Sequence, residues 1–385
     1  MTIRATRVAA TLVAMTALAV SAAAVAPASA AAQAGNSTHA ATRRAIAAAV
    51  EDGVPGVIAT VRDRRGTWSA TAGAGNIRTG EPRSPHDRYR IGSITKTFVA
   101  TVLLQLEAEG RLSLNDSVEK WLPGVVRGHG HDGRRVTVRQ LLNHTSGIAN
   151  FTDDKTYVRT YLLVPGFFEH RYDRLTPAQL VAIAMSHAPD FAPGTSWNYS
   201  NTNYVLAGMV IKSVTGRSYA TEIRQRIIEP LHLTATSVPS SRVTVPQPSS
   251  RAYSKMAQTA TGPTYDVTQW APGLASSAGD MISSSADVNR FYRVLLRDSL
   301  LPAQQLKEMK TTVTVDAIPN AGYGLGLIER KLSCGVHVWG HEGGVPGSVS
   351  EAVTTANGRH SLAFNFNGDW SGDSDAVIEG EFCGK

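Results

Sequence analysis

Ser93-Ile94-Thr95-Lys96, running straight on into Thr97-Phe98-Val99, is the stretch on which the reading of this chain turns. From Lys96 to Glu109 the apolar residues Phe98, Val99, Val102, Leu103 and Leu106 recur at helical spacing and Gly110 offers a C-cap, so Ser93 stands where a helix begins. Residues three apart share a helix face, which lets the serine hydroxyl meet the lysine amine. Serine needs a base beside it, and lysine serves only where a dry, cation-rich site favours its neutral form. The helix start also turns backbone N–H groups towards a developing anion. Spacing alone is weak evidence, because Ser117-Val118-Glu119-Lys120 repeats it in a polar connection with no amphipathic helix behind it.

Working outward, Tyr199-Ser200-Asn201 follows the loop Pro193-Gly194-Thr195 and precedes a helix, a place from which side chains reach into a cleft. A phenol held near an ammonium can act as general base, and a side-chain amide can hold a lysine and a substrate carbonyl together. A core tyrosine beside a helix cap is the plainer alternative. Trp339-Gly340-His341-Glu342-Gly343-Gly344 ends a predicted strand, and its glycines permit close backbone approach. A zinc site beginning at His341-Glu342 is disfavoured, since Val345 stands where the second histidine belongs and Pro346 disrupts the helix it needs. No metal or other cofactor is expected. No Gly-x-Ser-x-Gly elbow occurs, which speaks against an α/β-hydrolase nucleophile.

Around these motifs the pattern predicts a helix over Ala40 to Glu51, a hairpin of Val57 to Asp63 and Thr67 to Ala72, and a turn-rich loop from Gly73 to Arg88. Helices follow at Val138 to Leu142, Pro177 to Ser186, Asn203 to Thr215, Ala220 to Ile228 and Ala286 to Leu296. Strands return at Tyr323 to Arg330, Val336 to Gly340, Ser348 to Thr354 and Ser361 to Phe366, and a helix over Asp375 to Phe382 closes the chain. The expected fold is α/β: a mainly antiparallel five-stranded sheet flanked by terminal helices, with an inserted, mostly helical lobe. Residues 31–95 and 297–385 form the sheet lobe and 96–296 the helical lobe, with the active site between them.

Residues 1–30 carry Arg4 and Arg7, an apolar run from Val8 to Val25 and Ala28-Ser29-Ala30, the pattern of a secretory signal peptide; a membrane anchor is the alternative. A secreted, monomeric protein without stable membrane insertion is expected. The 38 basic and 31 acidic residues give a net charge of +7, and the basic residues are scattered, so nucleic-acid binding is disfavoured over a mild attraction to anionic envelope polymers. Cys334 and Cys383 are the two cysteines, and in an exported chain a disulfide is the default, two free thiols the alternative.

Ser-x-x-Lys opening a helix, Tyr-x-Asn in the middle and His-x-Gly on a late strand occur in the chain order of serine acyltransferases of the β-lactamase and penicillin-binding type. The chain closely resembles the Streptomyces-type secreted D-alanyl-D-alanine carboxypeptidases, relatives of class C β-lactamases and D-aminopeptidases. The likeness extends through Tyr89 to Ser93, Val138 to Gly147 with its His144, Tyr199 to Met209, Gly322 to Leu327 and both cysteines. It implies Ser93 as acylated nucleophile, Lys96 and Tyr199 as the proton-shuttling pair, and the N–H groups of Ser93 and Gly344 as the oxyanion hole. It implies Asn201, His341, Glu342 and Gly343 on the substrate side, where we also place Trp270, and a structural hydrogen-bonding role for His144. D-residue peptides of cell-wall type are the implied substrates and β-lactams the acylating ligands.

The chain departs from that pattern where carboxypeptidases read His-Thr-Gly-Thr and carry an Arg on the preceding strand to receive a terminal carboxylate. Glu342 and Gly344 replace the hydroxyls and Ile328 aligns with the Arg. A carboxylate there repels a free C-terminus, and Arg330 compensates only if strand alternation puts residues 328 and 330 on one face. The alternatives are therefore a D-aminopeptidase, amidase or esterase of the same chemistry, or a non-catalytic penicillin- or peptide-binding envelope protein.

Overall fold

Gly56–Arg62 is buried along almost its whole length whereas its hairpin partner Thr67–Asn76 is largely exposed, the contrast between a strand covered on both faces and one nearer a sheet edge. A computed structural model describes residues 39–257, 259–297, 299–315 and 320–385; the predicted leader at 1–30 and the polar segment from Gln33 to Thr38 lie outside them. The sheet runs in the order Val313–Thr314, Ala321–Tyr323, Ile328–Lys331, His337–Val345, Ser348–Thr355, Ser361–Phe366, Gly56–Arg62, Thr67–Asn76 and Glu81–Pro82. Every pairing is antiparallel.

The expected architecture holds, but among the described residues the sheet has nine strands, not five. Two sequence features enlarge it. The stretch read as loop from Gly73 continues the strand to Asn76 and turns back through Glu81–Pro82. The single strand predicted over Tyr323 to Arg330 is instead two, because Gly326, with φ at 68°, folds the chain back so that Tyr323 pairs with Ile328. The Ala220 to Ile228 helix is also divided, into Tyr219–Ile223 and a π-helical Arg224–Ile228.

One sheet face is covered by Ala40–Glu51 and Ser374–Cys383, which bury Ile46, Ala49, Val377 and Ile378 against Val57, Val353, Leu362 and Phe364. Glu381 fastens these two helices: Thr42 Oγ1 donates to it at 2.6 Å, and His39 and His360 also bond to it. The disulfide forms between Cys334 and Cys383, with Cα atoms 5.7 Å apart. On the other face Ser285–Leu295 lies between the sheet and Thr95–Ala108, with Phe291 stacked on Phe98 at 3.7 Å. Thr137 and Thr176 each close a capping box at the start of Val138–Leu142 and Pro177–Met185, which fixes where those helices begin. Among the described residues no helix is long and apolar enough to cross a membrane.

Candidate active site

Ser93 lies in the 3₁₀ turn Gly92–Ile94 that leads into Thr95–Ala108. This turn meets the His341 strand backbone to backbone. A Cβ on Gly92 would stand 2.8 Å from the Gly343 carbonyl carbon, and one on Gly343 would stand 2.0 Å from the Ile91 oxygen and 2.9 Å from the Ser93 nitrogen. Gly92 and Gly343 are thus glycines because two main chains touch there, and that contact brings the amides of Ser93 and Gly344 to one junction. Gly343, expected on the substrate side, is spent on this packing. Gly344 differs, since a Cβ there would meet open space.

Lys96 is fully buried, and its Nζ lies 2.8 Å from Ser93 Oγ, 2.8 Å from Asn201 Oδ1 and 2.7 Å from the Ala278 carbonyl. Burial pushes its pKa well below the ordinary lysine value, against an upward pull from Glu342. A neutral amine keeps two N–H bonds and a lone pair. Lys96 Nζ donates to all three in its charged form; once neutral, its N–H bonds satisfy Asn201 and Ala278 and its lone pair faces the Ser93 hydroxyl. Tyr199 is partly buried; desolvation raises its phenol pKa while a hydrogen bond with Ser93 lowers it. A phenolate base at Tyr199 is therefore disfavoured. The lowered lysine pKa suits Lys96 to take the serine proton, and the raised phenol pKa suits Tyr199 to relay one.

Asn201 opens the helix Asn201–Thr215, two residues earlier than the sequence pattern places it. It donates from Nδ2 to Thr152 Oγ1 at 3.0 Å, and its backbone N–H reaches Asn150 Oδ1 at 3.0 Å, so its amide oxygen is aimed at Lys96. Neither Thr152 nor the Ala278 carbonyl was foreseeable. The first belongs to a distant turn, and the second is a main-chain atom beside Ser276, whose φ is 48°.

His144 and His341 are joined through Tyr323. His144 Nδ1 accepts from the Ser200 N–H and from Asn203 Nδ2, which leaves its Nε2–H to donate to the Tyr323 hydroxyl at 3.1 Å. Tyr323 then donates to His341 Nε2 at 2.9 Å, and His341 Nδ1–H donates to the Glu342 carbonyl. Every proton in the chain has one direction, which sets both imidazole tautomers. Burial, with the charge of Lys96 adding to it, pushes His341 down to about 3, so it stays neutral. Tyr323 appears in the sequence only inside a glycine-rich run, where nothing marks it as the link.

The partner strand Ile328–Lys331 pairs with the His341 strand only from His337 to Gly340. Residues 341–345 keep their pairing with Ser348–Thr355 and have no sheet neighbour on the other side among the described residues. The motif predicted to end a strand is thus an open strand edge running past Ser93. Glu342 on this edge is half exposed, and Arg330 Nη2 lies 3.6 Å from it, 3.1 Å from Glu351 and, through Nη1, 3.4 Å from Asp375. Arg330 does compensate Glu342, yet three carboxylates already hold it. Ile328 is buried with Val315 and Tyr323.

Trp270 corrects the expectation of a substrate-binding wall. It is 2 % exposed, packed with Phe167, Val267 and Val345, and the Arg90 guanidinium lies 3.9 Å from its ring centroid. Ser117 caps the short helix Val118–Trp121 by accepting from the Lys120 N–H, while the lysine side chain points outward to Asp116. Among the described residues no group of three or more His, Cys, Asp or Glu is arranged to hold a metal ion.

The sequence profile of the family described as Beta-lactamase matches residues 42–378. Penicillin-binding protein 4* of Bacillus subtilis is 26% identical over 306 residues, a match covering 74% of this chain and 62% of that protein. A D-stereospecific amidohydrolase from a Streptomyces species superposes with a TM-score of 0.87 at 59% identity, covering 91% of this chain and 100% of that one. A D-amino acid amidase from Ochrobactrum anthropi, solved with D-phenylalanine, superposes with a TM-score of 0.77 at 27% identity, covering 90% and 99%.

Proposed function

The chain belongs to the beta-lactamase family of serine hydrolases, and on that premise we propose that it is an exported D-stereospecific amidohydrolase, acylated at Ser93 by amides or esters of D-amino acids that carry a free amino group. The observation that carries this reading is the Glu342 edge. The hydroxyls that would anchor a terminal carboxylate are absent, the one nearby guanidinium is held by Glu351, Glu342 and Asp375, and the half-exposed carboxylate of Glu342 suits an ammonium. The likeness to a D-stereospecific amidohydrolase supports the same choice. The leader pattern at residues 1–30 supports export.

The reaction follows from the resting hydrogen bonds. Ser93 Oγ attacks the substrate carbonyl as its proton passes to Lys96 Nζ, and the Ser93 and Gly344 N–H groups receive the oxyanion. Collapse breaks the C–N bond while Tyr199 gives its proton to the leaving nitrogen and is reprotonated from Lys96. Water then attacks the acyl carbonyl as the same pair takes its proton, the C–Oγ ester bond breaks, the proton passes to Ser93 Oγ, and the D-amino acid leaves.

A D-alanyl-D-alanine carboxypeptidase acylated by β-lactams is the second reading, favoured by the complete Ser93, Lys96, Tyr199 and Asn201 set and the match to a penicillin-binding protein. Steady-state rates on D- and L-phenylalanine amide and on a D-Ala-D-Ala peptide separate the two. We expect the D-amide to be preferred over its L-isomer and over the peptide by about a hundredfold or more in kcat/KM. Faster cleavage of the peptide would replace this proposal with the second reading. A penicillin adduct seen by intact mass and lost in Ser93→Ala tests the nucleophile in both cases.

A further inference from the structure

Away from the site, a cleft of about 330 Å³ opens between the outer face of Ser285–Leu295 and the turn end of the Gly56–Arg62 hairpin. Arg290 and Arg293 project from positions i and i+3 of the helix and Arg297 from the turn just beyond it, so they line one side, and Arg62 faces them from the strand. Among the described residues no carboxylate lines this cleft, and none of the four guanidiniums is in an ion pair. Burial, then the charges of Arg62 and Arg297, lower the pKa of Arg293, the direction expected where like charges are crowded together. Some arginines elsewhere on the surface are answered by acids, Arg226 by Glu109 and Glu222, Arg139 by Glu308. Here the lining itself supplies no acid, and Asp287 acts on Arg290 only from outside it.

The cleft also has a neutral polar floor. Asn289 is 3 % exposed; its Nδ2 donates to the Thr60 carbonyl at 2.7 Å, which fixes the amide orientation and leaves a buried Oδ1 with no donor. Thr67 Oγ1 accepts from Arg62 at 3.0 Å and so keeps its own hydrogen free to donate.

We propose that this cleft binds the phosphate group of a phosphorylated polyol, with Arg62, Arg290, Arg293 and Arg297 on the phosphate and Asn289 Oδ1 accepting from a polyol hydroxyl. A phosphate monoester brings close to two charges and three terminal oxygens, enough to bridge several guanidiniums, where a carboxylate brings one charge and two oxygens. Inorganic phosphate alone would leave most of the cleft empty and Asn289 unanswered. The site lies apart from Ser93, so it serves to localise the protein on phosphate-bearing material, not to hydrolyse it. It also gives part of the +7 net charge a definite place.

Isothermal titration of the purified protein at low ionic strength tests this with three probes: sn-glycerol 3-phosphate, inorganic phosphate and glycerol. Saturable binding of glycerol phosphate, at least about tenfold tighter than inorganic phosphate and with no heat from glycerol, is the expected result. Arg290→Ser/Arg293→Ser should weaken it about a hundredfold while kcat/KM on the D-amide is unchanged. If that pair lowers the melting temperature, Arg297→Ser alone, beyond the helix end, should still weaken binding about tenfold. No saturable binding, equal affinity for inorganic phosphate, or affinity untouched by the arginine variants would overturn the proposal.

Discussion

The two walls of the site are built to different standards. On the Ser93 side Lys96 and Asn201 are buried and Tyr199 partly so, every polar atom of the lysine and asparagine side chains has its partner, and the backbone of the Ser93 turn is locked against Gly343. On the Glu342 side the strand edge is open, the carboxylate is 39 % exposed, and the space beside Gly344 is unfilled. Proton transfer needs fixed distances and exclusion of water, so any loosening of the first wall is felt in rate. Substrate choice needs only a difference in affinity, and an open edge can change that residue by residue without disturbing the core.

That contrast can be broken or sharpened in order of effect. Ser93→Ala and Lys96→Ala should each reduce kcat/KM on a D-amide by about 10⁴-fold or more with the fold retained, measured against melting temperature. Tyr199→Phe should reduce kcat by about 10²- to 10³-fold, since it removes the proton relay and keeps the ring. Tyr323→Phe leaves two buried imidazole nitrogens without their link and should cost about 1–3 kcal/mol in urea unfolding, with a smaller effect on kcat. On the open wall, Glu342→Gln should raise KM for a free-amine substrate about tenfold and change kcat little.

Glu342→Gln carries a second, signed expectation. Activity requires neutral Lys96, so kcat/KM rises with pH through the lysine pKa. Burial depresses that pKa and the Glu342 charge raises it. Removing the charge should therefore move the acid limb of the profile to lower pH, and movement to higher pH would contradict the coupling. His341 contributes no limb near neutrality, being held at about 3. Gly344→Thr with Glu342→Thr should give the smallest effect, a gain of up to about tenfold on a D-Ala-D-Ala peptide, because the added side chain enters open space.

The same division governs what could be read in advance. Ser93, Lys96 and Tyr199 were legible because helix spacing and side-chain chemistry are properties of short segments, and both elements formed within a residue or two of the predicted place. Tyr323 and the Ala278 carbonyl were not, because their roles exist only once strands far apart in the chain are in register. Trp270 failed as a site residue for the opposite reason: a large aromatic says that something packs against it, and here that is Arg90 and the core. The sheet was undercounted where strands are two or three residues long, too short for alternation to register.

The fastening of the chain ends has its own consequence. The disulfide at Cys383, the Glu381 carboxylate shared by Thr42, His39 and His360, and the packing of Ser374–Cys383 on Ala40–Glu51 tie the last helix to the first and to the sheet at several points. Fraying of the last helix would have to break these ties together, so unravelling would have to begin at internal loops.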